Sequence, residues 1–384
     1  MERARLRSLV EATGCARAVG EMCFVLDPGW GSEARREAET RLQLSDERPG
    51  GEARGWLALP TGGSGGGVKW ARHDEATLAA AVAGLRAHFG LGAIHAVDVL
   101  PAHHVSGLMA RVRAEMTGGT HLPWAWKRLE AGEVPPLPER ADGWVLSLVP
   151  TQLQRLLRQP AVGAWLRGLR VIFLGGGPAW PDLLRRAREE GLRLAPSYGM
   201  TETAAMVAAV RPEDFLAGRE ELQPLPHAQL SVDGDGRLRV AGASVCRGLW
   251  PEWRDDRRWS TDDRAEARPG GGWVILGRAD QVIITGGRKV DAARVEAARR
   301  GGETWDEVVV LGLPDPEWGE VVVAFHPAGA PRTDPVAALA GLSAWERPRR
   351  WVAVERWPRN AAGKVDRAAL RRHGAKLAAR GGGN

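Results

Sequence analysis

The sequence predicts an α/β protein: a large N-terminal domain of mixed, mostly parallel sheets with an antiparallel β subdomain, then a small α+β C-terminal domain. Three observations lead there. Between residues 56 and 190, short apolar runs alternate with stretches of helical periodicity, the pattern of strands separated by crossover helices. Near residue 225 the pattern becomes period-2 alternation broken by Asp-Gly, in HAQLSVDGDGRLRVAG, which marks antiparallel strands joined by tight turns. Past GRAD (277–280) a smaller α+β pattern runs to a basic helical tail. We therefore expect domains at 1–279, with the β subdomain at about 225–279, and at 280–384; a length of 384 residues suits two such parts.

Taken in order, WLALP (56–60) reads as a buried strand that runs into TGGSGGGVK, a stretch that no helix or strand interior would tolerate. DEATLAAAVAGLRAHFG (74–90) then opens on an acidic cap and carries apolar residues at helical spacing, so a strand–loop–helix order is expected. AIHAVDVLP (93–101), WVLSLVP (144–150) and LRVIFLGGGP (169–178) read as further buried strands, with helical stretches at 151–158 and 181–190. In the C-terminal part, VIITGG, a helix near 291–300, EVVVLGLPD and EVVVAFHP precede the tail. There are no internal repeats.

With 44% hydrophobic and 26% charged residues, the chain matches a soluble globular protein and excludes wholesale disorder, collagen-like repeats and a coiled coil. No apolar run has the length to cross a bilayer, so no membrane insertion is expected. MERARLRSLVEATG carries charges where an export signal would be apolar. Cys15, Cys23 and Cys246 lack both metal-ligand spacing and the density of a disulfide framework, which fits a reducing, cytoplasmic location. The pI is about 9.8. The formal excess is only +6, however, from 53 basic against 47 acidic residues, and the arginines are interleaved with carboxylates. That dispersal argues against nucleic acid as a partner. Lysine occurs only at Lys69, Lys127, Lys289, Lys364 and Lys376, and tyrosine only at Tyr198, so these side chains merit inspection first.

Five constellations carry chemistry. In TGGSGGGVK, the backbone N–H groups around Gly62 and Gly63, the hydroxyls of Thr61 and Ser64 and the ammonium of Lys69 can wrap an anion. It is not a Walker A loop, because Trp70 follows the lysine, and read alone it is equally a flexible linker. Gly175, Gly176 and Gly177 end a strand and permit close approach of a flat ligand. APSYGMTET (195–203) places a ring at Tyr198, then Gly199 and Met200, a hydroxyl at Thr201 and a hard oxygen ligand for Mg²⁺ at Glu202. Its plain alternative is a loop entering a helix capped by Thr201. WSTDDRAE (259–266) with GRADQVIITGGRK (277–289) offers Asp262, Asp263 and Arg278 for a ribose diol or a metal, where solvated charge would also explain each piece. PRNAAGKVDR (358–367) presents Lys364. In PAHHVSG (101–107), His104 can wall a pocket or handle a proton; His103 and His104 lack a third ligand for zinc, and Ser106 lacks the G-x-S-x-G elbow of a serine hydrolase.

In combination these segments resemble the motifs of the adenylate-forming superfamily of acyl-CoA synthetases and related AMP ligases. TGGSGGGVK is similar to TSGTTGxPKG, SYGMTET to YGxTE, STDDRA to TGDxA, GRADQVIITGGRKV to GRxDDxIxxxGxxV, and NAAGKVDR to NxxGKxxR. The match runs from about residue 56 to 370. Within the superfamily, PTGGSGG and PAHHVSG resemble the 2-succinylbenzoate-CoA ligases of menaquinone and phylloquinone synthesis, in a short form like those of cyanobacteria. Three positions depart from the motifs: Gly65 replaces a hydroxyl residue, Val68 a proline and Asp262 a glycine.

The resemblance implies a two-step reaction in which a carboxylate attacks the α-phosphate of Mg·ATP, releasing pyrophosphate, and the CoA thiol then displaces AMP. It implies that Thr61, Gly62, Gly63, Ser64 and Lys69 hold the outgoing phosphates, and that Gly175, Gly176, Gly177, Tyr198, Gly199 and Met200 border the adenine and acyl sites. Thr201 would contact the α-phosphate, Glu202 would hold Mg²⁺, and Asp263 and Arg278 would bind the ribose. Lys364 would bridge the reacting carboxylate and the α-phosphate; Asp280 would be the hinge of a mobile small domain, with Gly286 and Gly287 serving CoA. His104 and Ser106 would line the acyl pocket. Expected partners are therefore ATP, CoA and a small carboxylate, 2-succinylbenzoate, and a homo-oligomer is compatible with the sequence. Two rivals stand beside this reading: another acyl or aryl adenylate former that uses a carrier-protein thiol, and a basic nucleic-acid-binding protein.

Overall fold

A computed structural model of the chain describes residues 2–30, 32–46, 55–62, 68–137, 143–300, 307–329, 341–359 and 365–381. The chain divides into two compact units. Met1–Gly177, Arg185–Thr261 and Ala265–Ile275 form the first; Pro178–Leu184, Asp262–Arg264 and Leu276–Asn384 form the second.

The first sheet holds β1 (Ala16–Val19), β2 (Met22–Val25), β3 (Leu57–Gly62) and β4 (Val68–His73) in that order. β3 and β4 are antiparallel, with Thr61 opposite Lys69 and Gly62 opposite Val68. This corrects the expected strand–loop–helix order. VKWARH, the six residues after the glycine run, buries five of its side chains against the sheet, so the chain returns as a strand before any helix starts. Trp70 is fully buried and packs edge-to-face on Phe24 at 5.5 Å and Trp250 at 6.1 Å. Such pairs add about 0.5–1.5 kcal/mol each to the burial of their area.

The helix Glu75–Phe89 follows β4 directly. Asp74 caps it by accepting from the Thr77 N–H at 3.0 Å, the Thr77 hydroxyl accepts from the Asp74 N–H at 3.0 Å, and Gly90 ends it at φ 61°. The second Asp74 oxygen takes the Arg247 guanidinium at 2.8 Å. Burial pushes the Asp74 carboxyl up, but Arg247 and the Thr77 N–H outweigh it and hold the group below the usual carboxylate range.

The second sheet contains β5 (His95–Asp98), β6 (His121–Pro123), β7 (Trp144–Leu148), β8 (Val171–Leu174), β9 (Leu194–Met200), β10 (Ala205–Ala209) and β11 (Gln223–Pro224). Their order is β11-β10-β9-β8-β7-β5-β6. Neighbours from β6 to β9 are parallel; β10 and β11 are antiparallel. The expected strands at 93–101, 144–150 and 169–178 are β5, β7 and β8, all buried almost throughout, as a sheet covered on both faces requires. The helix Val105–Thr117 packs between the two sheets, with Leu108, Met109 and Val112 in one core with Leu57 and Leu59 of the first sheet and Ala110 in another with Val145 and Phe173 of the second.

A third sheet runs β12 (Ala228–Val232), β13 (Arg237–Gly242), β14 (Arg258–Ala267) and β15 (Trp273–Arg278). As the Asp-Gly alternation predicts, β12 and β13 form a hairpin, in whose turn Asp233 accepts the N–H groups of Asp235 at 3.0 Å and Arg237 at 2.9 Å.

In the second unit, β16 (Val282–Thr285), β17 (Arg288–Asp291), β18 (Val309–Asp315), β19 (Gly319–Pro327) and β20 (Arg350–Val354) form one sheet in the order β17-β16-β19-β18, with β20 parallel on β19. Period 2 splits its core in two: Val310, Val322 and Ala324 face the helix Ala292–Arg300, whereas Val309, Leu311, Val323 and Phe325 pack with Leu370 of the basic tail helix Arg367–Gly381. Among the described residues no helix is long and apolar enough to cross a membrane.

Candidate functional site

In the first unit, the segments singled out by chemistry meet at the carboxyl ends of parallel strands, where ligands bind in open α/β sheets. PAHHVSG follows β5, Gly175–Gly177 follow β8, and Tyr198–Met200 end β9. Gly175 must be small, since a Cβ there would come within 2.9 Å of the Ser197 hydroxyl, which itself donates to the Leu174 carbonyl. Gly176 adopts φ 77°. Tyr198 is half-buried in register with Ala208 of β10.

Thr201–Thr203 form a short 3-10 turn that joins β9 to β10 as a tight hairpin. The alternative of a helix capped by Thr201 is therefore corrected: the chain reverses because β10 pairs back on β9, and Thr203 stabilises the reversal. Its buried hydroxyl accepts from the Met200 N–H at 3.1 Å and donates to the Ala205 carbonyl at 2.7 Å. Two consecutive non-glycine residues, Ala204 at φ 52° and Ala205 at φ 77°, occupy the left-handed region, at a cost of about 1–2 kcal/mol each. Gly199 lies against the same turn; a Cβ there would sit 2.0 Å from the Ala205 carbonyl oxygen.

Thr61 of β3, His73 of β4 and the backbone at Cys246 contact this hairpin tip. The Thr61 hydroxyl at the end of β3 donates to Glu202 Oε1 at 2.7 Å, joining that strand end to the Glu202 carboxylate. The Glu202 carbonyl accepts from the Cys246 N–H at 2.8 Å. The Thr201 carbonyl accepts from the Ala204 N–H at 3.2 Å and faces His73 Nε2 at 2.7 Å. His73 is fully buried, and burial lowers its pKa to about 4. Lys69 is exposed and stands opposite Thr61, so the two side chains share a face of the sheet.

His104 occupies the N-cap position of the helix Val105–Thr117, its ring centroid 4.4 Å from that of His103 and tilted 54° to it, and Ser106 lies in the first turn, half-buried. His103 faces the Asp27 carboxylate at 3.3 Å. Gly107 is required by close approach, for its Cβ would meet the Pro101 carbonyl oxygen at 2.4 Å.

Two residues of interest escaped sequence reasoning. His73 is one. The other is Arg113, four residues after Met109 on the inward stripe of its helix and only 4% exposed. Its Nε has no hydrogen-bond partner, its guanidinium has no ion pair among the described residues, and burial lowers its pKa to about 10. It lies 5.8 Å from the Phe173 ring. Arginine at a helical i+4 position within an apolar stripe was the available signal.

In the second unit, three carboxylates converge on Arg278. Its fork takes Asp280 through Nε and NH2, both at 2.8 Å; NH2 also reaches Asp262 at 3.2 Å, and NH1 lies 4.0 Å from Asp263. The Asp280 hydrogen bonds chiefly raise the Arg278 pKa. Asp280 itself sits in a 3-10 turn, Ala279–Gln281. Gly286 and Gly287, at φ 54° and 74°, form the two-residue turn between β16 and β17. A Cβ on Gly286 would meet the Trp318 ring at 2.8 Å. Gly63, Ser64 and Lys364 lie outside the described residues.

No group of three His, Cys, Asp or Glu side chains among the described residues could cage a metal ion. Glu202 alone fits Mg²⁺, which is commonly bound through one or two carboxylates together with substrate phosphates.

A family model for AMP-binding enzymes matches residues 9–250. A Mycobacterium tuberculosis protein named probable 2-succinylbenzoate–CoA ligase is 32% identical over 341 residues, covering 82% of this chain and 83% of its own length. The 2-succinylbenzoate–CoA ligase of Listeria monocytogenes serotype 4b is 29% identical over 284 residues, covering 71% of this chain and 60% of its own length. The chain thus spans about 60% of that relative's length. Among solved structures, the o-succinylbenzoate coenzyme A synthetase of Bacillus subtilis in complex with AMP shares the fold, with a TM-score of 0.76 over 91% of this chain and 82% of that one at 21% identity.

Proposed function

The chain belongs to the AMP-binding enzyme family, and from that premise we propose that it is an ATP-dependent ligase that adenylates 2-succinylbenzoate and transfers the acyl group to CoA. The observation that carries the proposal is the 2.7 Å hydrogen bond from Thr61 to Glu202, which joins the end of β3 to the β9–β10 turn, with Lys69 opposite Thr61 on β4. A phosphate-bearing ligand with its cation needs that combination of donors and hard acceptor. The names of the relatives support the substrate. Arg113 adds a chemical reason, because a buried guanidinium without a counter-ion is completed by an anionic group on a ligand, and 2-succinylbenzoate has a second carboxylate beyond the one that reacts.

In the first step a carboxylate oxygen of the acid bonds to the α-phosphorus while the bond from that phosphorus to the bridging oxygen breaks, and pyrophosphate leaves. In the second, the CoA sulfur bonds to the acyl carbon and AMP leaves. Thr61, Ser64 and Lys69 would hold the outgoing phosphates, and Thr201 the α-phosphate. Gly175–Gly177 and Tyr198 would border adenine and the acyl group, with His104 and Ser106 lining the acyl side. Glu202 would hold Mg²⁺, which when bound neutralises phosphate charge. Asp263 and Arg278 would take the ribose hydroxyls. Lys364 would stabilise the charge between the two reacting groups, where positioning and electrostatics supply the catalysis. Asp280 is the proposed hinge, and Gly286–Gly287 the turn that admits CoA. The three free thiols suit a reducing cytoplasm.

Mass spectrometry of the protein incubated with Mg·ATP, CoA and 2-succinylbenzoate, with benzoate and a medium-chain fatty acid as competitors, tests the reading. The expected result is 2-succinylbenzoyl-CoA with AMP. Acyl-AMP without thioester would replace CoA by a carrier thiol, and a preferred product from either competitor would overturn the substrate.

A further inference from the structure

We propose that His73 is a positioning residue for adenylation: its Nε2–H fixes the Thr201 carbonyl and so aims the Thr201 hydroxyl and the Glu202 carboxylate. The proposal rests on the functional reading above, and its geometry stands apart from it. A carbonyl oxygen only accepts, so at 2.7 Å from the Thr201 oxygen the hydrogen is on Nε2, and Nδ1 faces the Thr77 hydroxyl at 3.1 Å. The single Thr77 hydroxyl hydrogen is shared between the Asp74 carbonyl at 2.9 Å and Nδ1 at 3.1 Å, so the 2.7 Å contact of Nε2 is the firmer of the two that orient the ring.

The turn needs this restraint. Ala204 and Ala205 both sit in the left-handed region, a conformation that persists only where surrounding contacts impose it. The backbone contacts are the Cys246 N–H on the Glu202 carbonyl and the Ala204 N–H on the Thr201 carbonyl, whose second acceptor position His73 fills. Two other side chains act on the turn, the Thr203 hydroxyl on the Ala205 carbonyl and the Thr61 hydroxyl on the Glu202 carboxylate, and His73 is the side chain that holds the Thr201 carbonyl. His73 ends β4, the strand that also carries Lys69 opposite Thr61. One strand thereby sets the spacing between the phosphate-side pair Thr61–Lys69 and the Thr201–Glu202 turn.

His73→Gln and His73→Leu, compared with the unaltered chain, test the proposal in two half-reactions. These are 2-succinylbenzoate-dependent exchange of labelled pyrophosphate into ATP, and thioester formation from preformed acyl-AMP and CoA. Glutamine keeps an N–H that can reach the carbonyl, and leucine has none. Leucine should lower the kcat of exchange about 10–100-fold, the range for losing a group that orients a catalytic residue, with the KM for 2-succinylbenzoate changed less than about threefold. Glutamine should restore most of that loss, and both variants should keep the second half-reaction. Equal loss in both half-reactions, unaltered exchange, or glutamine no better than leucine would each overturn the role. A readout independent of activity, and of whether the leucine variant folds, is the imidazole ¹⁵N–¹H NMR spectrum of the unaltered chain. It should contain a slowly exchanging Nε2–H signal that is missing from His73→Gln. An Nδ1–H tautomer, or no protected signal, contradicts the proposal even if the chain exchanges no pyrophosphate, in which case the functional reading fails separately.

Discussion

A buried guanidinium without a carboxylate beside it destabilises a fold, and Arg113 is such a group. Replacing it should separate stability from function. Arg113→Met is expected to leave the melting temperature unchanged or raised, while kcat/KM for 2-succinylbenzoate falls by about 2–5 kcal/mol in transition-state terms, the cost of truncating one partner of a buried charge pair. Melting curves and steady-state kinetics check both; a large loss of stability with unchanged kinetics would make Arg113 a packing residue. Lys364→Ala should abolish acyl-AMP formation and largely spare thioester formation from preformed acyl-AMP, and equal loss of both would remove its assigned role. Glu202→Gln keeps the shape and the Thr61 partner but loses the charge, so the Mg²⁺ concentration needed for half-maximal activity should rise. Glu202 and Thr201 stand out in the sequence because a carboxylate and a hydroxyl follow the only tyrosine, and the bond from Thr61 to Glu202 shows that this turn meets the end of β3. His73 and Arg113 do not, because a histidine ending a strand and an arginine on a helix acquire meaning only when burial shows what surrounds them.

The helix Glu75–Phe89 shows how an element can be read correctly when two independent signals coincide: an acidic cap and a long apolar periodicity. The glycine loop misled for the opposite reason. Its glycines are so strong a break that they mask VKWARH, a strand in which Lys69 alone is exposed and the other five residues are buried, so no period-2 alternation marks it. β6, of three residues, is too short for any periodicity to register. Asp74 joins the cap of this helix to the buried Arg247, so Asp74→Ala should cost roughly 3–5 kcal/mol in chemical denaturation by leaving Arg247 short of a partner. A loss within the 1 kcal/mol of an ordinary cap would show that Asp255, the other partner of Arg247, suffices.

Across the whole molecule, the order of parallel strands, antiparallel β region and smaller α+β part was legible because each has its own period, 3.6 mixed with buried runs, then 2. The contact of Thr61 with Glu202 was not, since it joins residues 141 apart in sequence. Burial also gives the molecule an acid limit. His73, His88 and His227 each have pKa values lowered by burial to about 4 from an ordinary 6.5. The unfolded chain binds these protons more tightly, so the stability they leave intact above pH 6.5 is lost as pH falls from 6.5 towards 4. The urea midpoint should therefore fall between pH 7.5 and 5, and a constant midpoint would contradict the buried neutral imidazoles. The most direct test of the central claim is exchange of labelled pyrophosphate into ATP in the absence of CoA. Exchange that depends on both Mg²⁺ and 2-succinylbenzoate is the predicted result; none with that acid, under conditions where another carboxylate supports it, would contradict the account.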